Sequence, residues 1–179
     1  MKKFALAAAA LMVTTAAFAQ SAAEKTGVNS LAGIPPKTED FVTEAASSDM
    51  FEIESSKLAA ERTDDATKAF ARQMIQDHQK TTTELKQLVD SGKVKATVPT
   101  AMTSDHQEML DELKGLEGEA FTEQYRSDQV DAHEDAVDLF QRYAKEGDNA
   151  DLKAWAAKTV PALEHHLQMA RDLESKQTQ

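Results

Sequence analysis

The sequence predicts an all-α protein: a ferritin-like four-helix bundle in which two helical hairpins are joined by a long crossover containing a short helix. Three observations carry that prediction. Apolar residues recur at spacings of three and four along four long segments, which is the period of one helix face, and no strand-like alternation interrupts them. Aromatics make up only 6% of the 179 residues, while Ala, Glu, Gln, Lys and Leu, all good helix formers, are plentiful. The first two long segments are joined tightly, as are the last two, but about 27 residues separate the pairs. A hairpin, a long crossover and a second hairpin is the ferritin-like threading, as opposed to simple up-down-up-down.

The chain opens with a basic Lys2-Lys3, an apolar run from Phe4 to Val13 and a small-x-small Ala17-Phe18-Ala19. This pattern reads as a secretory signal peptide over residues 1–19, cut after Ala19, and is excluded from fold reasoning. The run is too short for a membrane anchor, which needs roughly 20 apolar residues. No cysteine follows the cut, so no lipid anchor is expected, and the mature chain should be periplasmic or secreted. Residues 20–37 contain two glycines and Pro35-Pro36 and show no helical period, so they read as a flexible linker or arm ahead of a bundle domain at 38–176.

Within that domain Thr38 is a good N-cap, with Glu39 and Asp40 in the first turn where the helix dipole favours acids. The first long helix should run to Arg62, with Phe41, Ala45, Ser48, Glu52, Ser55 or Ser56, and Ala59 facing inward. Thr63-Asp64-Asp65 breaks and recaps the chain. The second helix carries Phe70, Ala71, Met74, Ile75, His78, Leu85, Leu88 and Val89 on one face and stops at Ser91-Gly92. A short amphipathic helix with Met102, His106, Met109, Leu110 and Leu113 lies in the crossover. The third long helix spans Glu119 to Glu146, aligning Phe121, Tyr125, Gln129, His133, Val137, Phe140 and Ala144. Gly147 stops it, and the fourth helix runs from Asp148 or Asn149 to Ser175, presenting Trp155, Ala156, Val160, Leu163, His166 or Leu167, Ala170 and Leu173. Pro161 should kink it, because the ring removes one hydrogen bond and crowds a carbonyl.

Composition excludes several functions. A net charge of −11 opposes nucleic acid or anionic lipid as partner. Without residues 1–19 two lysines and no acid are lost, leaving −13 over 160 residues. The absence of cysteine excludes disulfide scaffolds, thiolate zinc sites, iron–sulfur clusters and thiol nucleophiles. Gly-x-Ser-x-Gly, phosphate-cradling and His-Glu-x-x-His signatures are missing, as is the spacing of calcium loops.

One ionisable residue falls on the inward face of each long helix: Glu52, His78, His133 and His166. Facing helices build metal sites from such residues, and three imidazoles with one carboxylate suit a single Zn, Cu, Fe or Ni ion. The alternative is four separately satisfied core residues. A di-iron centre is not expected, because it needs Glu-x-x-His on two helices and the chain has none. Tyr125 and Gln129, two turns and one turn before His133, are candidate outer partners of that site. Met102, His106 and Met109 could offer soft copper ligands or simply form an apolar face. Asp77-His78 and Glu164-His165-His166 do not form dyads, since adjacent helix residues diverge by about 100°.

The residues also resemble a known family. Phe41-x3-Ala45, Glu52-Ile53-Glu54, Lys57-Leu58-Ala59, Phe70-Ala71 and Met74-Ile75-x-Asp77-His78 are similar to the bacterial domain-of-unknown-function family 4142. So are Gly118-x2-Phe121-x3-Tyr125, Gln129-Val130-x2-His133, Leu139-Phe140 and Pro161-x-Leu163-x2-His166-Leu167. The resemblance spans roughly residues 38–175 and implies an exported, ferritin-like helical protein without an established activity. It places the family's recurrent polar residues on Glu52, His78, Tyr125, His133 and His166. Where members often carry Asp after the Phe, this chain has Thr122.

No catalytic constellation is complete. The first reading is therefore a non-enzymatic envelope or stress-related bundle that works through an unidentified protein partner. The alternatives are a mononuclear metal-binding or metal-dependent redox protein using Glu52, His78, His133 and His166, and a small-ligand binder.

Overall fold

The protein's architecture comes from a computed structural model that describes residues 28–175. The expected signal peptide, the first part of the expected linker and residue 176 lie outside those residues. All regular structure among the described residues is helical: α1 (Val28–Leu31), α2 (Thr38–Arg62), α3 (Asp65–Asp90), α4 (Ser104–Gly115), α5 (Gly118–Glu146) and α6 (Ala150–Ser175).

Two anchor points set the direction of the chain. At one end Thr38 begins α2 as its first helical residue, not as the expected N-cap, because its hydroxyl is engaged elsewhere. It donates to Asp148 Oδ1 at 2.6 Å and meets the Tyr143 hydroxyl at 2.6 Å. At the other end Asp64 caps α3, accepting from the amides of Ala66 and Thr67, and receives Arg126 Nη2 at 2.7 Å. The start of α2 thus sits beside the end of α5, and the end of α2 beside the start of α5. The two helices are antiparallel, and the connection over residues 91–117 must run the length of the bundle. This is the ferritin-like threading read from the connection lengths.

Helix ends follow local chemistry. Gly92, at φ +74°, takes the left-handed turn that closes α3, a conformation cheap only for glycine. At Gly147 a Cβ would come within 2.6 Å of the Tyr143 ring and carbonyl, so close approach demands glycine there. Asn149 Oδ1 accepts from the Leu152 amide and starts α6. That helix contains Pro161 and continues to Ser175.

Two further features differ from the sequence reading. The segment read as linker contains the single turn α1, docked on α5 through Ser30 Oγ to Asp138 (2.7 Å) and Arg142 Nη1 to the Ile34 carbonyl (2.6 Å). Four residues are too few to show a helical period, so tertiary hydrogen bonds decide. On α2, Ser48 is only partly buried, whereas Asp49 and Phe51 are buried. The crossover helix α4 lies against α2 and α5, so α2 is enclosed on more than one flank and a single inward stripe underdescribes it.

The core divides into two apolar clusters. Near the Thr38 end, Phe41 stacks on Tyr143 (4.1 Å between centroids) and meets Phe140 edge-on at 4.9 Å, with Leu85, Leu152 and Trp155 around them. Toward the other end lie Phe51, Phe70, Met74, Leu113, Phe121 and Leu173. Each long helix passes from one cluster to the other through a buried polar residue: Glu52, His78, His133 and His166.

Truncating Phe41, fully buried in the first cluster, should cost about 3–5 kcal/mol in urea unfolding. Leu31→Ala, at a side chain 92% exposed, should change stability by less than about 0.5 kcal/mol. Equal effects would contradict the placement of the core.

Candidate metal centre

The polar layer is built by three imidazoles from three helices: His78 on α3, His133 on α5 and His166 on α6. Their ring centroids form a near-equilateral triangle, with sides of 5.6, 5.6 and 5.5 Å. All three are buried, at 2%, 1% and 4% exposure.

Each ring is fixed by one nitrogen. His78 Nδ1 lies 2.8 Å from Asp49 Oδ1, His133 Nδ1 lies 2.8 Å from the Gln129 carbonyl, and His166 Nε2 lies 3.0 Å from Asp77 Oδ2. Carboxylates and carbonyls only accept, so the imidazole nitrogen must donate in each bond. The other nitrogen of a neutral ring then carries a lone pair. His78 Nε2, His133 Nε2 and His166 Nδ1 are all buried and lack any hydrogen-bond partner. One ring nitrogen from each of the three histidines lies within 4.8 Å of the other two.

Buried polar atoms without partners are rare and call for an explanation. A cation among three converging lone pairs supplies one, and the donor chemistry fits a transition metal. Histidine ligands typically donate their second nitrogen to a carboxylate or carbonyl, which fixes the tautomer and raises basicity. That outer arrangement is complete here without a metal. Asp49 is itself anchored by the hydroxyls of Thr81 (2.8 Å) and Thr82 (2.9 Å).

Protonation separates the three rings. Burial, with His78 and His166 adding to it, pushes His133 down to about 3 against the pull of Gln129, so it is neutral. Burial and the nearby His78 also lower His166, with Asp77 opposing. For His78 burial is outweighed by the hydrogen bond and charge of Asp49, with Glu52 and Asp77 adding to them, and its pKa is raised. Of the three rings, His78 is the one whose surroundings favour a proton.

The profile of this family decides the relationship: it matches residues 23–173. The chain belongs to DUF4142, a domain of unknown function. A comparison with curated proteins finds no match. Among solved structures the fold is similar to that of CopM in the Cu(II)-bound form, with a TM-score of 0.66 and 15% sequence identity. The alignment covers 80% of this chain and 99% of that one. At such identity the likeness speaks for the shared helical bundle. No helix among the described residues of this DUF4142 protein is long and apolar enough to cross a membrane.

The other sequence candidates fall at different distances from the triad. Glu52 is buried in the same layer, but its Oε1 approaches His133 from the Nδ1 side, at 3.7 Å, behind the ring's unpartnered nitrogen. Burial raises its pKa to about 7, with His78 opposing. The Gln129 amide lowers it somewhat without reaching hydrogen-bond geometry. Gln129 serves His133 through its backbone carbonyl, not its side chain. The Tyr125 hydroxyl pairs with Ser56, at 2.8 Å.

Met102 precedes α4, and Met102 and Met109 pack against the second apolar cluster. His106 Nδ1 is hydrogen-bonded to Ser47 at 2.8 Å and its ring stacks on Phe51, so these three residues serve as packing. His165 is exposed. Sequence reasoning missed Asp49 and Asp77 as partners. Asp49 lies one turn from Glu52. Asp77 diverges from His78, as adjacent helix residues must, and for that reason reaches His166 on the neighbouring helix.

The Glu52 shift has a definite sign. Its folded pKa of about 7 lies above the usual 4.5, so the folded state has its full advantage below about pH 4.5 and loses it as pH rises through about 7. Metal-free Glu52→Gln should therefore gain thermal stability over the natural protein as pH rises from about 4.5 to about 8. Calorimetry showing a pH-independent gap would contradict this assignment.

Proposed function

We propose that this protein binds one transition-metal ion through His78 Nε2, His133 Nε2 and His166 Nδ1. The single observation that carries the reading is the convergence of three buried, unpartnered imidazole nitrogens whose opposite nitrogens are all tied to acceptors. Four separately satisfied core residues would not leave these atoms without partners. The expected leader at residues 1–19 would place the site outside the cytoplasm.

The residues divide the work. His133 is held neutral and ready to ligate by burial and the Gln129 carbonyl. Asp77 and Asp49 orient the other two rings and supply negative charge behind them, which favours a cation in front. Any proton held on His78, whose carboxylate neighbours favour one, must leave on loading, so affinity should rise with pH. Imidazole nitrogens suit Zn, Cu, Ni and Fe, and at a given site divalent copper ranks highest among the first-row ions. That CopM has a Cu(II)-bound form is consistent with testing copper first. Bound there, the ion would act as a Lewis acid or, if copper or iron, as a redox centre.

The reading as a bundle that acts only through protein contacts has less support. Large exposed apolar side chains among the described residues are confined to Leu31 and Ile34, short of an extended apolar patch.

Metal-depleted protein dialysed against Cu(II) or Zn(II) should take up one ion per chain, and His133→Ala should abolish that uptake. Asp77→Asn and Asp49→Asn should fold and bind roughly 10–100-fold more weakly. Uptake unchanged in His133→Ala, or absent from the natural protein, would overturn the proposal.

A further inference from the structure

A cleft of about 210 Å³ between α3 and α6 leads from solvent to two of the three histidines, His78 and His166. Asp77, Lys80, Lys158 and Ala162 also line it. It belongs to the same layer, yet nothing in the binding of the ion itself uses it. Resting on the metal reading above, we infer that the loaded site keeps one coordination position for a small exogenous anion or hydroxide, which arrives through this cleft.

Three observations support the inference. The convergent set contains three nitrogens, and Glu52 stands behind His133 instead of before its free nitrogen. Structural sites for such ions are closed by four protein ligands, whereas three protein ligands with solvent access is the pattern of sites that bind and activate a further ligand. The cleft is smaller than the roughly 300–1,000 Å³ of sites for drug-sized molecules, which restricts the ligand to a few atoms.

Charge on the walls admits an anion. They carry two carboxylates against two ammonium groups, and the charge of Asp77 stands behind His166, away from the open position. Asp77 accepts from His166, and Glu84 accepts from Trp155 Nε1 at 3.0 Å and pairs with Lys158 at 3.4 Å. Lys80 forms no ion pair among the described residues and leaves a free cation at the mouth. Ala162 is exposed on the wall and ligates nothing.

The test uses the full chain loaded with Co(II), whose visible absorption reports its ligands, and azide as the small anion. Cobalt bands on loading that shift saturably with azide are the expected result. Ala162→Trp, which fills the cleft, should load cobalt normally and bind azide roughly tenfold more weakly. Cobalt bands that ignore azide would overturn the inference while leaving the metal reading intact, and so would azide binding that appears only in Glu52→Gln. Azide binding equal in Ala162→Trp and natural protein would overturn the route. Failure of cobalt bands to appear, with no uptake of Cu(II) or Zn(II) either, would remove the metal reading and this inference together.

Discussion

Three imidazoles in the middle of the bundle each donate from one nitrogen to an acceptor on a helix wall and leave the other buried without a partner. Hydrogen-bonding groups in a protein interior are costly when unpaired, by about 1–3 kcal/mol each. The surrounding helices must hold such a layer in place, and on the proposal above a metal ion supplies the missing partner. The remaining architecture can be read from that constraint. The two apolar clusters, one around Phe41 and Tyr143 and the other around Phe51, Phe70 and Phe121, lie on either side of the layer and supply the cohesion that it lacks.

The electrostatics of the layer follow from the same arrangement. Neutral His133 and proton-prone His78 differ in what stands behind them, while burial brings the Glu52 carboxyl near neutrality. A backbone carbonyl behind His133 orients without adding charge. Asp49 behind His78 adds a full negative charge and draws a proton in the absence of any other cation. The metal-free protein is thus expected to hold a proton where the loaded one holds an ion, which couples loading to pH.

Much of this was legible in the sequence, and the remainder was hidden for physical reasons. Periodicity assigned Glu52, His78, His133 and His166 to inward faces, and all four are buried. Periodicity reports angle about a helix axis but not height, so the meeting of the three histidines at one level depended on helix register. Register is set by contacts far apart in sequence, such as Thr38 with Asp148 and Arg126 with Asp64. The outer carboxylates escaped for related reasons. Asp77 diverges from its sequence neighbour His78 and meets the next helix, and Asp49 lies on a helix enclosed on several flanks. The turn α1 was too short to carry any period.

The most direct test of the account is a crystal structure of the Cu(II)- or Zn(II)-loaded protein with anomalous scattering recorded at the metal edge. The account predicts one strong peak per chain within bonding distance of His78 Nε2, His133 Nε2 and His166 Nδ1, with Asp49, Gln129 and Asp77 still holding the opposite nitrogens. A peak at His106 and the methionines, at His165 or at surface carboxylates, with the central layer filled only by ordered water, would contradict it.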